Sequence, residues 1–101
     1  MKSKSRKYLL SVASTYYEND NIKIDGKLKI SKDNVVFVAS NKKNRLLKLE
    51  IPITEIVETI KKSSYGIIPN LLIIKTQIKS YKFSLYAREH FLRVLNEINT
   101  L

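Results

Sequence analysis

The clearest pattern in the chain lies between Leu47 and Ile53, where Leu47, Leu49, Ile51 and Ile53 alternate with Lys48, Glu50 and Pro52. A period of two puts every second side chain on one face, so this segment predicts a half-buried strand. Pro52 cannot donate to a ladder and points to an edge or a strand end. The same alternation runs through Ile22-Lys-Ile-Asp-Gly-Lys-Leu-Lys-Ile30. Asp25-Gly26 inside that run admits two readings, a two-residue hairpin turn or a bulge in a longer strand.

Other apolar or β-branched runs predict further strands over Tyr8 to Tyr17, Val35 to Ala39, Ile56 to Lys62, Leu71 to Thr76 and Tyr81 to Tyr86. Polar turns separate them at Glu18 to Asn21, Lys32 to Asn34, Asn41 to Asn44 and Gln77 to Ser80, with a loop from Ser63 to Pro69. From Ala87 the period changes. Ala87, Phe91, Val94, Leu95 and Ile98 fall at helical spacing, with Arg88, Glu89, Arg93 and Glu97 on the other side. About seven antiparallel strands followed by one amphipathic helix must close or sandwich to hide their edges. The expectation is a mainly β barrel whose open end is plugged by the apolar stripe of the helix. Residues 1–7 read as a flexible basic arm, and 8–101 as one domain.

Composition narrows the class. The chain has 101 residues, 44% apolar and 28% charged, which excludes disorder and suits one modest core. There is no cysteine, so neither a disulfide framework nor a thiolate metal site can form. Nineteen Lys and Arg against nine Asp and Glu give a net charge of +10. Such a field favours anionic partners: nucleic acid, acidic lipid or an acidic protein. A solvated lysine-rich surface explains the same number without any partner.

Met1 to Lys7 resembles the basic region of a signal peptide, but the apolar run from Tyr8 to Ala13 is interrupted by Ser11. It falls short of the roughly 7–15 apolar residues of a secretory core. No stretch approaches the ~18–20 apolar residues that span a bilayer. A soluble, cytoplasmic chain is expected, with at most a peripheral contact at the inner face of the membrane.

Candidate chemistry is sparse. His90 is the sole histidine, so no histidine metal cluster or Ser-His-Asp triad can be assembled. Glu18 and Asp20 share one polar turn, the ordinary setting of a solvated loop rather than an acid–base pair. Neither a Gly-x-Gly-x-x-Gly motif nor a phosphate-binding loop is present. These absences predict a non-enzymatic module with no cofactor and no metal.

The tyrosines at 8, 16, 17, 65, 81 and 86 raise the question of base stacking. Tyr81 shares a strand face with Phe83 and Leu85 and so belongs to the core, while Tyr16 and Tyr17 point one ring each way. No RNA-recognition or oligonucleotide-barrel signature surrounds them, which leaves nucleic acid as a minor alternative. Basic residues group in four places. These are the arm (Lys2, Lys4, Arg6, Lys7), the turn with Lys42, Lys43 and Arg45, the Lys61-Lys62 pair, and Lys75 with Lys79 and Lys82.

Several stretches together resemble the GRAM domain, a member of the pleckstrin-homology-like superfold, and most of all its bacterial branch. They are Gly26-Lys-Leu-Lys-Ile30, Val36-Phe37 with Ser40, Ile51-Pro-Ile-Thr-Glu-Ile56, Gly66-Ile-Ile-Pro-Asn70, Leu72-Ile-Ile-Lys-Thr76, Lys82-Phe83 and the helix containing Arg88. The Gly-Ile-Ile-Pro-Asn element is the specific part. Bacterial relatives carry Ala-Asn-His and an aromatic near the first strand, where this chain has Ala13-Ser-Thr-Tyr16.

The resemblance implies a pleckstrin-homology-like barrel with the second strand starting at Gly26. It also implies that lipid headgroups are met by the loops joining strands one–two, three–four and six–seven. Those loops carry Lys23; Lys42, Lys43 and Arg45; and Lys79, and the basic arm adds Lys2, Lys4, Arg6 and Lys7. Glu18, Asp20 and Asp25 on the first loop oppose a tight phosphoinositide site. A diffuse attraction to anionic phospholipid, on the order of 1 kcal/mol per basic residue near the surface, fits better. Docking of a protein or peptide along the strand and helix groove is the competing expectation, because fold does not fix function.

Overall fold

Seven segments, some alternating apolar with polar residues and others continuously apolar, form the strands of one antiparallel sheet. The structure is a computed structural model and describes residues 8–19, 21–40, 47–64 and 68–99. The strands are β1 (Leu10–Asn19), β2 (Ile22–Ile30), β3 (Asn34–Ala39), β4 (Lys48–Pro52), β5 (Ile56–Ser64), β6 (Ile68–Thr76) and β7 (Ser80–Leu85), followed by helix α1 (Arg88–Asn99). Their order in the sheet is β4-β3-β2-β1-β7-β6-β5.

That order forces curvature. At ~4.8 Å per strand, a flat sheet would hold its outer strands β4 and β5 about 29 Å apart. Yet only the short 3₁₀ turn Ile53–Glu55 joins them, a reach of at most about 14 Å. The sheet therefore curls into a half-barrel. The turn is fixed where Ile53 N donates to Asp33 O at 2.9 Å. Pro52 ends an outer strand, the position where its missing N–H costs nothing.

The concave face is the core. Tyr16, Ile24, Leu28, Ile30, Val35, Phe37, Ile51, Leu72, Ile74, Phe83 and Leu85 are buried there. The rings of Tyr16, Phe37 and Phe83 meet at centroid distances of 5.4 to 5.8 Å in tilted geometry. Phe91, Leu92 and Leu95 of α1 complete the core, with Val94 and Ile98 half-buried beside them. The helix thus covers the concave side as its spacing predicts, with Leu92 an additional buried contact.

Gly26 lies buried in the middle of β2, paired with Ser14 of β1 and Ala39 of β3. A Cβ there would stand 2.7 Å from Phe37 Cζ and would collide with the Val38 carbonyl oxygen. Only glycine lets β2 and β3 approach this closely beneath the Phe37 ring.

The expectation that the second strand starts at Gly26 is corrected: β2 starts at Ile22, with neither turn nor register shift at Asp25-Gly26. The reason is visible in the pairing. Lys23, Ile24 and Asp25 pair with β1 alone, and β3 joins only at Gly26. Thr15 Oγ1 donates to Asp25 Oδ1 at 2.8 Å and keeps that stretch extended. Two further boundaries move. β1 runs from Leu10 to Asn19, beyond Tyr17, and Ala87 stands before the helix, exposed and with φ 56°. The loop expected up to Pro69 is shorter, since β6 already includes Ile68, Pro69 and Asn70. Asn70 takes the left-handed φ of 62°, a conformation asparagine tolerates better than most residues. Gly66 lies outside the described residues.

Candidate functional site

Strand direction gathers three connections at one end of the half-barrel. Tyr17 near the end of β1 faces Lys23 near the start of β2 and Lys82 near the start of β7. Ala39 at the end of β3 pairs with Gly26, which sends the β3–β4 connection to the same end. The β6–β7 turn joins them, because Thr76 closes β6 and Ser80 opens β7. A concavity of about 640 Å³ opens at this rim, lined by Tyr16, Tyr17, Glu18, Leu47, Lys79 and Lys82 among others.

Two of the turns are braced by a side chain. Asn19 Oδ1 accepts from Asn21 N at 2.8 Å and Ile22 N at 3.0 Å. Thr76 Oγ1 accepts from Ile78 N at 3.3 Å and Lys79 N at 3.1 Å, and donates to Lys79 O at 2.9 Å. Both are local side-chain substitutes for backbone bonds that the turn leaves unmade.

The rim cations rest on aromatic rings. Lys23 Nζ and Lys82 Nζ lie 5.8 and 5.6 Å from the Tyr17 centroid, one from each neighbouring strand. Lys79 Nζ lies 4.9 Å from the Tyr81 centroid. Among the described residues none of these three lysines forms a salt bridge, whereas Lys48, Lys61 and Lys75 pair with Glu50, Glu89 and Glu58. Burial holds the Tyr16 hydroxyl above its ordinary value, and the nearby Glu18 charge and Tyr81 raise it further.

Of the residues expected to meet an anion, Lys23 and Lys79 are brought to this rim. Lys23 sits on β2 itself rather than in a loop. Lys42, Lys43 and Arg45, like Lys2, Lys4, Arg6 and Lys7, lie outside the described residues. Sequence reasoning did not assign Tyr17 and Lys82 to the site. Their signal is alternation: Tyr17 falls on the convex face opposite buried Tyr16, and Lys82 on the convex face opposite Phe83. That they meet requires knowing that β1 pairs with β7.

A second groove of about 590 Å³ runs between β5 and α1, lined by Thr59, Lys61, Glu89, Leu92, Arg93 and Asn96 among others. Lys61 Nζ reaches Glu89 Oε2 at 3.3 Å across it. Among the described residues, no helix is long and apolar enough to cross a membrane, and no group of three or more His, Cys, Asp or Glu could hold a metal ion.

A seven-stranded half-barrel closed by one C-terminal helix is the pleckstrin-homology-like fold. Superposition agrees: the Vps36 N-terminal PH domain matches with a TM-score of 0.62 at 14% identity, over 94% of this chain and 83% of that one. The C-terminal domain of an unknown protein from Leishmania infantum matches with a TM-score of 0.79 at 19% identity, over 91% of this chain and 83% of that one. Residues 2–97 match the model of the GRAM domain, and the chain belongs to that family. No curated protein sequence matches it. GRAM and pleckstrin-homology-like domains are typically modules that bind membranes, lipids or proteins.

Proposed function

We propose that this GRAM domain is a non-catalytic module that docks peripherally on anionic membrane through the rim holding Lys23, Lys79 and Lys82. The observation that carries this reading is the convergence of three lysines, without carboxylate partners among the described residues, from the start of β2, the β6–β7 turn and β7. Stacking on Tyr17 and Tyr81 restricts their rotamers in advance, which lowers the ordering cost of meeting a phosphate. The net charge of +10 supplies the long-range attraction. Lys42, Lys43 and Arg45, which fall by sequence between β3 and β4, and the basic residues among 1–7 contribute to that charge. The reading places the chain in the cytoplasm, at the inner face of the membrane, with 8–101 acting as one domain.

Co-sedimentation with phosphatidylserine-containing vesicles at low and high salt tests it. Reversing Lys23, Lys79 and Lys82 to Glu removes the protein from the pellet, whereas reversing Lys61 and Lys62 leaves it there. Reversal of Lys42, Lys43 and Arg45, or deletion of residues 1–7, weakens retention. Wild-type protein left in the supernatant at low salt overturns the membrane reading. The β5–α1 groove supports the other reading, a protein or peptide partner. There β5 is an outermost strand beside a helix face, a place where an extended segment can add to the sheet.

A further inference from the structure

Turn tips favour Gly, Pro, Asn, Asp and Ser, for reasons of backbone conformation and local hydrogen bonding. At this rim an isoleucine stands within the β6–β7 turn and another opens β2 directly after the β1–β2 turn. Ile78, in the β6–β7 turn, is 85% exposed, and Ile22, at the β1–β2 turn, is 44% exposed. Neither gains its full burial by folding, so folding alone does not account for an apolar side chain at either place. Among the described residues, Ile22 and Ile78 are the large exposed apolar side chains at the lysine-bearing end, whereas Leu9 and Tyr86 are at the other, where Leu9 N donates to Ile30 O and Tyr86 N to Ala13 O.

We infer that Ile22 and Ile78 insert into the headgroup and acyl boundary of the bilayer, giving the rim a hydrophobic grip in addition to its charge. This rests on the membrane reading above and specifies how the same site engages lipid. The two turns are held rigid by Asn19 and Thr76, so the isoleucines project without a further ordering cost. Lys23 follows Ile22 and Lys79 follows Ile78 in the chain. With the isoleucines below the phosphates, these lysines stand at phosphate level, their alkyl stems crossing the boundary. Tyr17 and Tyr81 then lie where amphipathic rings favour the membrane interface.

The consequence is a binding term that salt does not screen. Attraction through lysines alone fades as the Debye length shrinks, while apolar insertion persists.

The chain has no tryptophan, so Ile78→Trp creates a single fluorescent reporter, and Leu9→Trp places the same reporter at the opposite end. With phosphatidylserine-containing vesicles, Ile78→Trp emission shifts to the blue and is quenched by lipids brominated near the headgroup; Leu9→Trp emission does neither. Separately, Ile22→Asn combined with Ile78→Asn lowers the binding that survives high salt by about tenfold, the loss expected from ~1.4 kcal/mol of apolar transfer. Vesicle-bound protein with unchanged Ile78→Trp emission, or Asn variants retained as well as wild type at high salt, overturns the insertion while leaving the electrostatic reading intact. Wild-type protein that fails to bind at low salt overturns both.

Discussion

Arg88 Nη1 donates to the carbonyl oxygen of Leu71 at 3.0 Å, and the same nitrogen donates to the carbonyl of Lys62 at 3.0 Å. Lys62 and Leu71 are cross-strand partners in β5 and β6. One guanidinium at the first residue of α1 therefore ties the helix to both strands of that pair. Glu89 Oε2 lies 3.6 Å from Nη2 on the solvent side.

Arg88→Ala should cost roughly 1.5–3 kcal/mol, the range for hydrogen bonds to a charged group. Arg88→Lys should recover only part of that, because a single ammonium cannot meet both carbonyls and also supply the second nitrogen that faces Glu89. Urea titration followed by circular dichroism reads both. A stability for Arg88→Ala equal to wild type would show that the helix is held by its apolar face alone.

That apolar face sets the second expectation. Leu95 is 1% exposed within the core, whereas Arg93 on the same helix is exposed. Leu95→Ala should destabilise by roughly 2–5 kcal/mol, and Arg93→Ala should stay within about 0.5 kcal/mol of wild type. Equal tolerance at both positions in the same titration would contradict the packing of α1 on the concave sheet.

Tyr16 makes stability depend on alkaline pH. Its folded-state pKa is raised by burial and by Glu18 and Tyr81, so above about pH 10 the unfolded chain loses the phenolic proton first. The unfolded state then binds fewer protons than the folded one, and stability falls as pH rises from about 10 toward the folded pKa. Below the unfolded value the contribution is fully present. Denaturation midpoints measured from neutral to strongly alkaline pH should show this decline, and Tyr16→Phe should flatten it.

Local pattern revealed the elements more readily than their meetings. Alternation in Leu47 to Ile53 and the helical spacing of Phe91, Val94, Leu95 and Ile98 each follow from neighbours a few residues apart, and both elements are present. The family resemblance implies a strand start at Gly26, and the residues alone admit a turn or a bulge there. The actual role of Gly26 is a steric vacancy under Phe37, a contact made by another strand. The site shows the same division. Lys23 and Lys79 could be placed through family loops, but the Tyr17–Lys82 stack joins β1 to β7 across most of the chain. No period or spacing encodes such a contact before the sheet order is known.

The β1–β7 pairing also bears on how the molecule forms. Strands β1 to β4 and β5 to β7 are two meanders, each built by pairing neighbours in sequence. Ser14 Oγ donates to Ser84 O at 3.0 Å across 70 residues of chain, and four registered residue pairs make up the ladder there. Closing a loop of that length carries an entropic term of roughly 4 kcal/mol, and such non-local pairing is what slows folding. The meanders can arise from local encounters, but the chain becomes one folded body only when Tyr16 finds Phe83.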